Sequence, residues 1–581
     1  MVQFSRVAPR LIIALLLASG LAACQKGEDA ATAPAAGEAP ASVNDAATDT
    51  ASPAHSFGPE ISAEDFAQHV KVLSSDEFGG RSPGGKFEEL TINYLKAQFE
   101  RLGLQPGNGD SYLQEVPAVG MQAATDTTMT LTVDGKAETL KQGEDMVLVS
   151  TQGKPEINVA DSELVFVGYG INAPEAGWND YAGIDVKGKT VVILVNDPGF
   201  ASQDPSLFQG KRMTYYGRWT YKYEEAARQG AAAALIIHQT DAAGYGWDVV
   251  RNSWTGQEFH LPASVDPAPR LPLSGWLTGE SAKHLFERSG LDLAKLQAEA
   301  GKPGFKAVPM AATLSADLHS TITEAKSHNV MALLPGTEHP DEAIIYMAHW
   351  DHLGTQPDYE GDDKIFNGAV DNATGVAGVL EIAERFVTEA KPKRSVLFML
   401  VTLEESGLLG SGYYVQNPVI PLKDTVAVIN LDAMSVVGRA KDMVVIGYGN
   451  SELEDILKPA AAFQGRELHA ESAPERGYFF RSDHFNFAKA GVPALYTKSG
   501  LDMRDGGEAA GEAELNDYTK NRYHSPRDEF DPNWDLGGVV EDLNVLDHVG
   551  RQLANSDQWP NWYEGNAFKA TRDAQRAAAS D

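Results

Sequence analysis

Three apolar runs decide what this chain can fold into: "AIIYMA" (343–348), "SVLFMLVTL" (395–403) and "TVAVIN" (425–430). Each has the length of a strand and lacks alternating polar residues, so each must be covered on both faces. Strands of this kind belong to a mainly parallel sheet between two layers of helices. Patterns at helical spacing are present as required, among them "AEDFAQHVKVLSSDEF" and "EELTINYLKAQFERLGL", the second closed by Gly103 in a C-cap position. The predicted fold class is α/β, with a mainly parallel central sheet and helices on both faces.

All three runs end the same way. "AIIYMA" leads into His349 and Asp351, "SVLFMLVTL" into Glu404 and Glu405, and "TVAVIN" into Asp432. Acidic and imidazole groups thus collect at the carboxyl ends of buried strands, where open α/β sheets carry their ligand sites. A polar loop would place one such group there by chance, but three successive strands call for a common cause. Two further stretches fit. "GAVDNATGVAGVLEIAERF" offers Asp371 and Asn372 at the start of a helix whose Gly375 and Gly378 permit close backbone approach, and "NRYHSPRDEFD" supplies His524. Two imidazoles with three carboxylates make an all-nitrogen-and-oxygen donor set that suits zinc and is poor for soft copper sites or magnesium cages. A pair of divalent ions with a hydroxide would balance those carboxylates to zero.

The N-terminal residues 1–24 have the layout of an export signal: Arg6 and Arg10, an apolar core "LIIALLLASG", then "LAAC". "LAAC" resembles the bacterial lipobox, which makes Cys24 the expected lipid-bearing first residue of an exported lipoprotein; Gln25 follows, pointing to the outer membrane. Cys24 is the single cysteine, so the mature chain is expected to have no disulfide and no thiolate ligand. Residues 25–57 nearly lack large aliphatic residues and read as a disordered tether. Beyond it, the folded pattern begins at 58–130, gives way to short β-rich runs over 131–312 that read as an inserted domain, and resumes over 313–560, leaving 561–581 as a C-terminal tail. With 81 acidic and 48 basic residues the net charge is −33, which argues against nucleic-acid partners and against electrostatic binding to anionic lipid. Membrane attachment would then rest on the lipid at Cys24 alone. No feature signals an oligomeric state.

Taken together, "AHWDHLG", "DNATG", "EESGLLGS", "NLDAM" and "YHSP", in this order, resemble the metal-site motifs of the cocatalytic dizinc aminopeptidases in the bacterial leucyl aminopeptidase and glutamate carboxypeptidase superfamily. The inserted stretch resembles the protease-associated domain found in many of them, and "SSDEFGGRSPGG" resembles their N-terminal segment. The resemblance implies a zinc exopeptidase fold and two zinc ions, bridged by Asp371, with His349 and Asp432 completing one and Glu405 and His524 the other. It makes Asp351 the carboxylate that receives the second ring N–H of His349, and Glu404 the general base that takes the proton of a water held between the ions, leaving a bridging hydroxide. Peptides would be the substrates, hydrolysed at the N-terminus. A carboxypeptidase of the same superfamily and a non-catalytic binding protein on this scaffold are the alternatives. His352 has no ligand role in the pattern. The family tyrosine expected ahead of "SDH" is out of register, with Phe479 in its place and Tyr478 one position earlier, while Ser482 and Gly491 read as the cap and stop of a helix. The "NAT" sequon at 372–374 is read as coincidence.

Overall fold

The protein was analysed as a computed structural model that describes residues 58–580. The expected signal peptide, tether and Cys24 lie outside the described residues. The central sheet is built chiefly from β1 (Leu113–Ala123), β2 (Val308–Leu334), β3 (His339–His349), β4 (Arg394–Val401), β5 (Thr425–Asn430) and β6 (Ala494–Ser499), with the short strands Gln105–Pro106 beside β2 and Glu258–His260 beside β1. β3 lies between β4 and β5, parallel to both, and β6 extends the parallel set beside β5. β2 closes the other side by pairing antiparallel with β4, and β1 pairs antiparallel with β2. The fold is α/β with a mainly parallel core.

Side-chain alternation explains why the runs are apolar throughout. Ile344, Tyr346, Ala348, Val396, Phe398 and Leu400 point into one core, which also takes Phe66 of the helix Ala63–Leu73, Val379 and Phe386 of the helix Thr374–Thr388 and Leu543 of the helix Gly537–Ala554. The intervening Ile345, Met347, Leu397, Met399 and Val401 point into the opposite core with Tyr414, Phe485 and Phe487. Each fully buried aliphatic or aromatic side chain contributes roughly 1.5–3 kcal/mol, and a polar substitution on either face would forfeit it. Gly103 adopts φ 70° after the helix Gly85–Arg101, and the Leu104 amide donates to the Phe99 carbonyl, as the C-cap reading requires.

Residues between β1 and β2 build a second sheet with its own core of Leu131, Leu148, Leu235 and Trp276. Its strand Ala233–Ile237 lies parallel between Thr190–Leu194 and Leu273–Leu277. The 27-residue β2 belongs to both sheets. Its Ala312–Ala316 portion pairs with Met129–Val133 of the second sheet, Ser320–Val330 pairs with β1, and Val330–Leu334 pairs with β4. The second sheet also touches the metal-site half directly. The Tyr215 ring packs on Phe485 and Phe568, the Met213 amide donates to the Pro474 carbonyl, and Lys489 Nζ donates to Glu224.

The last residues differ from the expected tail. Trp562 is 1% exposed and its indole N–H donates to the Gly491 carbonyl. A helix, Lys569–Ser580, then brings Arg572 against the carbonyls of Thr425 and Val426 on β5. Alanine-rich spacing favours that helix, and a buried guanidinium holds it to the sheet. Among the described residues no helix is long and apolar enough to cross a membrane.

Candidate metal centre

Parallel register carries the strand ends to one edge: His349 stands opposite Val401, and Met347 opposite Asn430. Glu404 and Glu405 follow β4 closely, and Asp432 follows β5. The structure brings them together with Asp371 and His524. His349 Nε2 lies 3.3 Å from Asp371 Oδ1 and 3.6 Å from Asp432 Oδ1. The other Asp371 oxygen lies 3.3 Å from His524 Nε2, which in turn is 3.2 Å from Glu405 Oε2. Donors about 2 Å from a tetrahedral zinc ion are separated by about 3.3 Å, so each set has the spacing of a tetrahedral edge. Asp371 gives one oxygen to each set, and the donor chemistry fits a pair of ions.

The orientation of His349 departs from expectation. Its Nδ1 lies 3.1 Å from the main-chain carbonyl of Asp351 and 3.9 Å from that residue's carboxylate. The carboxylate instead accepts the amides of Glu404 at 3.1 Å and Glu405 at 3.4 Å. Leu403, with φ 55°, turns the chain at the strand end immediately before those amides. The carbonyl therefore sets the His349 ring, while the Asp351 side chain fixes the two glutamates. His352 is 2% exposed, and its Nδ1 lies 2.7 Å from Glu405 Oε1, leaving Oε2 toward His524. His352, Asp371 and Glu405 also offer donor atoms within 4.8 Å of one another, as do His349, Asp371 and Asp432.

The Asp371 segment is held from three sides. Arg81, fully buried, donates to the carbonyls of Trp350, Asn367, Gly368 and Asp371, joining the His349 strand end to this loop. Asp528 accepts the amides of Val370 and Asp371 at 3.0 Å each. Asn372, which follows a cis peptide bond, donates to the Leu431 carbonyl and accepts the amides of Gly375 and Ala433, so it ties the Asp371 and Asp432 loops together. With its side chain fully buried in this way, the "NAT" sequon presents no accessible asparagine. Gly375 is required here, because a Cβ would lie 2.4 Å from the Leu431 carbonyl oxygen.

Glu404 Oε2 lies 4.0 Å from His349 Nε2, whereas Glu405 Oε2 lies 3.2 Å from His524 Nε2. Burial pushes the Glu404 carboxyl well above the usual range; His349 opposes this, and Glu405, Asp483 and Asp432 add to it. Asp483, buried and accepting a hydrogen bond from Ser411, is pushed up to about 7 chiefly by burial. Tyr478 is not part of the centre: its hydroxyl accepts from Arg476, and Phe479 packs on the His484 ring at 4.7 Å. Ser482 does not cap the following helix, since its hydroxyl accepts from Asn430 while Asp483 takes the N-cap position; Gly491, with φ 94°, does follow the helix end. A tyrosine that does lie beside the centre is Tyr523, stacked on the His524 ring at 3.9 Å. Desolvation, then Asp371, Glu405, Glu404 and Asp432, hold its phenol protonated. Sequence reasoning passed over Tyr523 although it stands inside the quoted "YHSP" motif.

A probable zinc metalloprotease of Pyrenophora teres f. teres (strain 0-1) is 40% identical over 113 residues, 19% of this chain and 23% of that protein. Aminopeptidase NAALADL1 of Mus musculus is 31% identical over 139 residues, 22% of this chain and 17% of that protein. The chain thus spans about a quarter or less of the length of these curated relatives. The solved aminopeptidase from Aneurinibacillus sp. strain AM-1 aligns with a TM-score of 0.46 and 21% identity over 86% of this chain and 96% of that one. Residues 329–545, which contain His349, Asp351, Asp371, Glu404, Glu405, Asp432 and His524, match the sequence model of peptidase family M28.

Proposed function

We propose that the chain is a zinc-dependent exopeptidase that removes N-terminal residues from peptides, with two ions in the centre. The observation that carries this reading is Asp371, whose two oxygens each face a histidine–carboxylate set at tetrahedral spacing, with the buried Glu404 alongside. Zinc held by these sets would supply an acidified water and a polarised peptide carbonyl. Glu404, whose carboxyl is held high by burial, takes the proton of the attacking water and returns it to the leaving amine. Tyr523 donates its phenol O–H to the carbonyl oxygen as negative charge grows there. Asp351 keeps Glu404 and Glu405 apart in direction, so one serves as base and the other as ligand. Cleavage at the N-terminus is favoured by the intact donor set and by the aminopeptidase among the curated relatives.

Aminoacyl nitroanilides and their N-acetylated counterparts, each assayed with and without a chelator, test the reading. The free amines should be hydrolysed, the blocked ones should not, and chelation should abolish the activity. Preference for blocked substrates with a free C-terminus would favour a carboxypeptidase, and turnover that survives metal removal would overturn the proposal. We further infer export as a lipoprotein through residues 1–24. Cys24→Ser should move the protein from the membrane fraction to the soluble one with catalysis intact, and unchanged partition would mean another mode of attachment.

A further inference from the structure

The turn that carries both glutamates has a backbone its own residues do not favour. Leu403, just after β4, adopts φ 55° and Leu408 adopts φ 62°, left-handed conformations that a leucine keeps only where its surroundings hold it there. Between them lie Glu404, Glu405, Ser406 and Gly407. Backbone bonds close the turn: the Leu409 amide donates to the Leu403 carbonyl and the Gly410 amide to the Thr402 carbonyl, at 3.0 Å each. The Asp351 carboxylate accepts the Glu404 and Glu405 amides. The leucines are held differently. Leu403 and Leu409 are buried in a small apolar cluster with Val116 and Ala118 of β1 and with Leu261, which comes from the chain between β1 and β2 that builds the second sheet.

Leu261 is itself anchored on both sides. It follows the strand Glu258–His260, whose residues stand opposite Met121, Gly120 and Val119 of β1. Gly120 permits that approach, because a Cβ there would lie 2.8 Å from the Phe259 ring. Arg270 then donates to the Leu261 carbonyl at 2.8 Å. From this anchor the side chain reaches the first turn of the helix Leu409–Gln416, where a Cβ on Gly412 would lie 3.6 Å from Leu261 Cδ1. We propose that Leu261 is a positioning residue: it holds the Leu403–Leu409 turn and thereby the aim of Glu404 and Glu405, so that the second-sheet region acts on the chemistry through this contact. The kinetic part of the inference rests on the peptidase reading above. A base or ligand displaced by about 1 Å is enough to cost on the order of 10²-fold in rate.

Hydrolysis of leucyl 4-nitroanilide, zinc affinity and amide hydrogen exchange, all on the full chain, test it together. Leu261→Ala should lower kcat by about 10–100-fold with KM changed far less, since no group that binds substrate is removed. One zinc should be held on the order of tenfold more weakly, as the Glu405 ligand loses its support. Leu261→Met, close in volume, should restore most of kcat, and Leu261→Val should show a smaller loss of the same kind and serves if the alanine variant does not fold. Leu235→Ala opens a comparable gap in the second sheet's own core, so it should lower the urea midpoint and leave kcat and zinc affinity unchanged; Leu235→Val takes its place if it fails to fold. Exchange across residues 403–410 should quicken in Leu261→Ala and not in the Leu235 variant. A kcat within about twofold of wild type in Leu261→Ala, a loss that the Leu235 variant shares, or one that Leu261→Met retains in full would overturn the inference. If the wild type does not cleave the anilide, the peptidase reading fails, and exchange still decides the contact: quickening at 403–410 confined to Leu261→Ala supports it, and equal exchange in all the variants removes it.

Discussion

Two regions bury charge, and they do so in opposite ways. In the second-sheet region the fully buried Lys222 donates to the carbonyls of Tyr169 and Tyr216 at 2.7 and 2.6 Å. Beside it, Asp197 accepts from Gly199, Phe200 and Thr214, and Asp180 accepts from Ile171 and Trp178. The fold itself answers each of these charges. At the metal centre Asp371, Glu404, Glu405 and Asp432 face His349 and His524 across spacings of 3.2–4.0 Å, with an excess of carboxylate. Internal satisfaction marks a structural cluster, whereas an imbalance arranged at coordination spacing marks a site that expects a cation.

The largest effect should come from the adjacent glutamates. Glu404→Gln removes the base while keeping its size, so kcat should fall by on the order of 10²–10⁴ with zinc content retained. Glu405→Gln removes a ligand, so one zinc should be lost or weakly held. Zinc per chain measured with kcat on both variants decides the assignment; metal loss from the first and not the second would reverse it.

Lys222→Met should break the satisfied cluster instead, costing about 3–5 kcal/mol of stability because the carboxylates and carbonyls around it lose their cation. Urea denaturation measures the loss, and zinc content should be unaffected. A variant as stable as the wild type would remove the distinction drawn between the two regions. Arg81→Met lies between these cases, since a satisfied residue there supports an unsatisfied site. It should weaken zinc binding by about 10–100-fold, read by competition with a chromogenic chelator, as loops carrying His349 and Asp371 lose their common brace.

The smallest effect concerns Glu381, on the helix Thr374–Thr388. Burial raises its carboxyl to about 8 from an ordinary 4.5, with the Ser62 amide opposing and Glu384 and Asp65 adding to the shift. Between those values the native chain holds a proton that the unfolded chain has released. The stabilisation from this group is therefore complete below pH 4.5 and is lost as pH rises through 8. Glu381→Gln should remove that component, so its urea midpoint should fall less than the wild-type midpoint between pH 5.5 and 8.5. Parallel declines would show that Glu381 ionises normally.

The parallel strands and the residues at their ends were legible because complete burial and ligand chemistry both leave local signatures. "AIIYMA" followed by His349 needs no tertiary knowledge to interpret. Arg81 was not legible in the same way, since its partners at 350 and 367–371 are brought to it only by the fold. Asp528 and Asn372 act through backbone amides and carbonyls, which no side-chain pattern records. Ser482 was assigned a cap from its type alone, but Asn430 competes for its hydroxyl in the folded chain. Arg572 fixes part of the segment read only as a C-terminal tail, through contacts with a strand nearly 150 residues earlier.

The final rung of the β1–β2 ladder has a consequence for how such a protein can be assembled. Ala123 faces Ser320 directly, and the Ala124 amide donates to the His319 carbonyl at 2.9 Å. The chain therefore departs for the second sheet and returns from it at neighbouring points, a separation that a two-residue hairpin turn can close. The region between them leaves and rejoins the central sheet at one place, so no parallel strand depends on it for register, although its strand Glu258–His260 also pairs with β1 and its Met213 and Glu224 hold the metal-site half. Its excision would uncover the Phe485 and Phe568 faces that Tyr215 now shields, so a transplant needs an aromatic at that position to keep the join dry.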